Sequence, residues 1–132
     1  MQEFDSLVAM LRKELPQLLA VYCFGSAVTG DTRNGSDLDV AILTDGALSR
    51  GVLFDLAQEL AAAFSRDVDL IDLRAASTVF RATVVSTGKR VYCTDLRACD
   101  AFEDLALSSY ARLNEERCGI LGDIKERGQI HG

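Results

Sequence analysis

The sequence predicts an α/β domain in which a small mixed β-sheet of about four strands is flanked by helices. Stretches with apolar residues at helical spacing alternate along the chain with short apolar runs. The run from Leu18 to Phe24 is apolar almost throughout, as expected for a strand covered on both faces. At 132 residues the chain makes one domain with a real core, too small for a catalytic domain plus a full substrate domain.

Phe4, Leu7, Val8, Leu11 and Leu15 recur at helical spacing, Arg12, Lys13 and Glu14 lie on the other side, and Pro16 ends the pattern. The first strand, Leu18 to Phe24, stops at Gly25-Ser26. A polar loop then leads to Asp37-Leu38-Asp39, which opens a second apolar strand through Leu43. Thr44-Asp45-Gly46 reads as a turn, and Val52, Leu56, Leu60, Ala63 and Phe64 trace a helical face with Ser49 as its N-cap. Val68 to Leu73 is a short third strand with an Asp near its start, as in the second. Ala76 to Thr87 is expected to be helical despite its β-branched residues, with Gly88 as the stop. Lys89 to Thr94 reads as an edge strand whose leading charges discourage pairing with another chain.

A terminal helix begins at Asp95 or Asp100, the latter spaced from Glu103 as a capping-box variant. Phe102, Leu105, Ala106 and Leu113 give it one apolar face and Leu107, Tyr110 and Ala111 a second. That pattern fits either contact with a partner or deep packing. The domain is set at residues 1–118 and a flexible tail at 119–132, where four glycines and mixed charge gather.

Apolar residues make up 48% of the chain and the net charge is -6, so nucleic acid would meet mostly repulsion and is a poor first partner. The apolar runs are far short of a membrane span, and the N-terminus lacks the basic and apolar regions of a signal peptide. No membrane and a cytoplasmic location are expected. Cys23, Cys93, Cys99 and Cys118 contain no Cys-x-x-Cys pair and read as reduced, mostly buried thiols rather than a zinc site or disulfide framework.

The chemistry concentrates around the loop after the first strand. Asp37 and Asp39 point to one face about 7 Å apart along their strand and repel unless a cation sits between them. If the second and third strands are neighbours, Asp69 joins them. Oxygen ligands without His or Cys select Mg²⁺ or Mn²⁺, and Mg²⁺ favours a nucleoside triphosphate as companion. Two ions about 3.5 to 4 Å apart would hold the attacking and leaving oxygens of an in-line displacement. Gly25 lets the backbone approach a phosphate, and the Ser26 hydroxyl can donate to it. Arg33 or Lys89 could add positive charge, although Arg33 also reads as a solvated loop residue. The loop carries neither a P-loop nor a Rossmann glycine pattern.

Gly25-Ser26, ten residues, then Asp37-x-Asp39, resembles the signature of the polymerase-beta-type nucleotidyltransferase superfamily. The short chain, the Asp67-Val-Asp-Leu-Ile-Asp72 strand and the Gly88-Lys-Arg-Val-Tyr92 segment resemble its minimal nucleotidyltransferase (MNT) branch, over roughly residues 5–115. The resemblance implies the nucleotidyltransferase fold, with Asp37, Asp39 and Asp69 binding two Mg²⁺ and catalysing transfer. Gly25 and Ser26, with Arg33, would bind ATP, and Asp69 would serve as general base. Asp67 and Asp72 compete for the third carboxylate role, Asp72 from the opposite strand face and otherwise as a solvated strand-end charge. Asp37 or Asp39 could instead cap a turn, and Ser26 a helix.

The MNT resemblance further implies an antitoxin that transfers AMP from ATP to a hydroxyl of a cognate HEPN toxin, in a homo- or hetero-oligomer. Tyr is the expected acceptor. The alternatives are transfer to a small-molecule hydroxyl, as in aminoglycoside nucleotidyltransferases, and an antitoxin that neutralises by binding without catalysis. His131, the one histidine, is not assigned a role.

Overall fold

A computed structural model describes residues 2–25, 38–46 and 48–131, with side-chain surroundings for 4–25, 38–46 and 48–116. The elements run α1 Gln2–Glu14, β1 Leu18–Phe24, β2 Leu38–Thr44, α2 Arg50–Phe64, β3 Val68–Asp72, α3 Thr78–Thr87, β4 Lys89–Cys93 and α4 Leu96–His131. The strands form one sheet in the order β3-β2-β1-β4. β1 is antiparallel to β2 and β4, whereas β2 and β3 are parallel, which makes the sheet mixed.

Apolar patterning explains the layers. β1 and β2 are central and buried on both faces, so they read as continuous apolar runs. One sheet face packs Val21, Val40, Ile42 and Leu70 under Leu7 and Leu11 of α1 and Leu56 and Leu60 of α2. The other packs Ala20, Tyr22, Ala41 and Leu43 against Val84 of α3 and Cys99 and Phe102 of α4. Each fully buried leucine contributes on the order of 1.5–3 kcal/mol relative to exposure. The edge expectation for β4 holds.

Local chemistry sets the boundaries. Ser49 accepts the Val52 amide at 3.2 Å and Ser77 accepts that of Phe80 at 3.1 Å, so both serve as N-caps. In α3 the hydroxyls of Thr83 and Thr87 donate to the carbonyls of Val79 and Thr83, four residues back, which accommodates these β-branched residues. Gly88 ends α3 by space rather than by left-handed backbone. Its φ is -82°, and a Cβ there would lie 2.5 Å from the Val84 carbonyl and 3.1 Å from that of Cys23.

Of the two starts considered for α4, Asp95 is the cap: its carboxylate accepts the Ala98 amide at 3.3 Å. Asp100 and Glu103 do not form the expected box. Both turn to Arg90 on β4, at 3.4 and 2.6 Å, because a cation across the junction outcompetes a backbone amide already satisfied within the helix. The apolar faces of α4 are also divided differently. Phe102 and Ala106 are buried, but Leu105 is 61% exposed and lies outward with Leu107. The expected tail from Gly119 falls within the α4 backbone assignment, and its side chains lie outside the described residues.

Candidate active site

Because β2 and β3 are parallel, their N-terminal ends share one edge of the sheet. The Leu38 amide donates to the Asp67 carbonyl at 2.8 Å and sets the register, which pairs Asp39 with Asp69. Registered neighbours in a sheet place their side chains on the same face, with strands about 4.8 Å apart. The two carboxylates therefore stand side by side, Asp39 half-buried and Asp69 exposed. They extend the face that carries Ala41 and Leu43 on β2 and Ile71 on β3.

β1 delivers the third component. Phe24 pairs with Asp39 across the antiparallel ladder, and the next residue, Gly25, adopts φ +67°. A Cβ at Gly25 would collide with Asp39 Oδ2 and come within 3.2 Å of Asp39 Cγ. Glycine is thus required twice, for its left-handed backbone and for the closeness of the carboxylate. Phe24 packs edge-on against Phe80 of α3, with centroids 5.6 Å apart and planes at 84°, and so walls one side of the site. Lys89 pairs with Cys23, which puts its backbone at the same sheet end.

Gly25, Asp39 and Asp69 are therefore brought together. Ser26, Arg33 and Asp37 lie outside the described residues. Asp67 is exposed at the entry to β3. The expectation that Asp72 is a solvated charge is corrected: it is 4% exposed and accepts the amides of Leu48 and Arg74, each at 3.0 Å. Burial is tolerated because the carboxylate is fully occupied in fastening two loops.

Among the described residues no group of three or more His, Cys, Asp or Glu is placed to hold a metal ion. Within that limit, the adjacent Asp39 and Asp69 offer oxygen donors alone, and a hard divalent cation held between them would relieve their mutual repulsion. The donor set fits Mg²⁺.

Sequence reasoning missed a polar cluster beneath this face. Tyr22, 2% exposed, donates its hydroxyl to Glu103 at 2.7 Å, and Glu103 also accepts from Arg90. Burial, reinforced by the Glu103 carboxylate, holds the Tyr22 phenol far above its ordinary pKa. Burial alone would lower Arg90, but Glu103 outweighs it and keeps the guanidinium above its usual value. A tyrosine in an otherwise apolar central strand was the available signal, since its hydroxyl needs a buried partner.

No helix among the described residues is long and apolar enough to cross a membrane. The profile of the family described as Polymerase beta, Nucleotidyltransferase matches residues 6–97. Protein adenylyltransferase MntA of Shewanella oneidensis is 38% identical over 120 residues, covering 91% of this chain and 86% of its own. The crystal structure of a toxin–antitoxin with AMP-PNP superposes with a TM-score of 0.83 at 37% identity, over 95% of this chain and 99% of the other. A structure of tri-AMPylated Shewanella oneidensis HEPN toxin with its MNT antitoxin gives 0.78 at 35% identity, over 94% and 97%. A carboxylate pair in parallel register, a glycine pressed against it and these similarities agree, and the chain belongs to the polymerase-beta nucleotidyltransferase family.

Proposed function

We propose that this protein is an antitoxin adenylyltransferase that moves AMP from ATP to a tyrosine hydroxyl of a cognate HEPN toxin. The observation that carries the reading is the pairing of Asp39 with Asp69 beside Gly25 at one open sheet end. It gains support from a relative that is a protein adenylyltransferase and from a similar antitoxin solved with its AMPylated toxin. Leu96, Leu105 and Leu107, exposed on α4, favour a protein as the acceptor.

In this reading Asp37, Asp39 and Asp69 hold Mg²⁺, which supplies charge neutralisation at the phosphates. Gly25 and Ser26 line the triphosphate, and Arg33 adds positive charge to it. Asp69, the more exposed of the described pair, takes the proton of the acceptor hydroxyl. The hydroxyl oxygen bonds to the α-phosphorus, the bond from that phosphorus to the bridging oxygen breaks, and pyrophosphate leaves. Asp39 keeps its orientation because Gly25 abuts it and Phe24 fixes the strand end. The reaction is assigned to the cytoplasm, where ATP and the toxin would meet.

Labelled ATP, Mg²⁺ and the partner HEPN protein test the proposal. Label should move to the partner with the wild-type chain and not with Asp39→Ala. Absence of transfer with both chains, in the presence of a folded partner, would sink it.

A further inference from the structure

Cys93 ends β4 and Cys99 lies in the opening turns of α4, with five residues between them. Their sulfurs are 2.9 Å apart, about 0.9 Å beyond a covalent S–S bond of ~2.0 Å. Both are free thiols, Cys99 fully buried and Cys93 half-buried. The elements that carry them are already held in place: Cys93 pairs with Ala20 on β1, and the Cys99 amide donates to the Asp95 carbonyl at 3.0 Å. Cys23 belongs to the opposite core layer and does not compete.

We propose that Cys93 and Cys99 form a redox modification site that closes an intramolecular disulfide on exposure to a small disulfide oxidant, stapling the end of β4 to the start of α4. Burial, with the neighbouring Cys93, pushes the Cys99 thiol up to about 12, so Cys99 is a poor first nucleophile. Cys93, the more exposed of the two, therefore reacts first. Its thiolate bonds to one sulfur of oxidised glutathione, breaking that disulfide and releasing one glutathione thiolate. Cys99 then bonds to the Cys93 sulfur and expels the second glutathione, which carries away the Cys99 proton. Two electrons pass from the protein thiols to the oxidant, and both glutathiones end reduced.

The closure bears on a working part of the fold. Glu103 follows Cys99 by one turn on the same helix side and holds Tyr22 and Arg90. The staple would fix the helix that carries this cluster. The inference does not depend on nucleotide transfer and stands or falls separately from it.

The test is oxidised glutathione added to the full chain, followed by intact mass and a non-reducing tryptic map. Closure lowers the mass by about 2 Da. Cleavage at Arg90, Arg97 and Arg112 separates the two cysteines, so residues 91–97 and 98–112 should run as one linked species that reduction splits. Cys93→Ser should lose the link, whereas Cys23→Ser and Cys118→Ser should keep it. A stable glutathione adduct on Cys93, a link through Cys118, or an unchanged mass would each overturn the proposal. If Cys93→Ser does not fold, the wild-type map decides alone.

Discussion

Replacing Gly25 by alanine separates positioning from folding. The residue sits at φ +67°, where an L side chain costs about 1–2 kcal/mol. The new Cβ would also collide with Asp39 Oδ2 and lie 3.2 Å from its Cγ, so the carboxylate must withdraw by about 1 Å to regain ordinary contact. A 1 Å misplacement of a reacting group is worth about 100-fold, or ~2.7 kcal/mol of barrier. Gly25→Ala should therefore lose about 1–2 kcal/mol of stability in urea denaturation but at least about 100-fold in kcat/KM for AMP transfer to the HEPN partner. Gly46 is the matched control. Its φ is +102°, yet nothing lies within 4 Å of a Cβ placed there. Gly46→Ala should show a comparable loss of stability with activity retained. If Gly25→Ala keeps activity within about threefold of Gly46→Ala, the contact with Asp39 does not position the carboxylate and the reasoning fails.

Asp69→Asn should abolish at least about 99% of transfer while leaving the melting temperature unchanged or higher, because one of two adjacent like charges is gone; a clear loss of stability would mark Asp69 as structural. Tyr22→Phe should cost about 1.5–3 kcal/mol at neutral pH, the range for a hydrogen bond to a charged group. The folded Tyr22 phenol keeps its proton above the pH at which an unfolded tyrosine releases it. Stability is thus intact below pH ~10 and falls as pH rises beyond it, by up to about 1.4 kcal/mol per unit. Denaturation curves at several alkaline pH values should show a shallower fall in Tyr22→Phe, and equal slopes would contradict the assignment. Ser65, the C-cap of α2, has left-handed backbone at φ 53°, so Ser65→Gly should raise the urea midpoint by an amount equivalent to about 0.5–1 kcal/mol.

Local signals carried most of the fold. Ser49 was legible as a cap because it stands just before a helical apolar period, and Leu18–Phe24 as a central strand because both of its faces are apolar. Gly25, Asp39 and Asp69 stood out through spacing and charge. What escaped depended on groups distant in sequence. Glu103 looked like a capping residue until Arg90, thirteen positions away, claimed it. Asp72 looked solvated because a strand-end carboxylate usually is, and only the fold brings the Leu48 amide to it. The left-handed backbone of Gly25 is a common reason for glycine, but its contact with Asp39 arises only when β1 and β2 pair.

The decisive feature of the site, the direction of β3, was also hidden. In an antiparallel pairing of β2 and β3, Asp69 would start from the far end of the sheet, more than about 10 Å from Asp39. Parallel pairing needs a crossover of a dozen residues or more, and the fifteen-residue α2 provides the return. Both ends of that return are fastened. Asp72 holds the Leu48 amide where the chain leaves for α2, and the Asp67 carbonyl holds the Leu38 amide where it comes back. The Leu73 amide adds a bond to the Ile42 carbonyl at 2.9 Å. Asp72 thus contributes to the site without facing it. Losing its carboxylate frees the crossover at one end, and the register that sets Asp69 beside Asp39 loses one of the bonds that hold it.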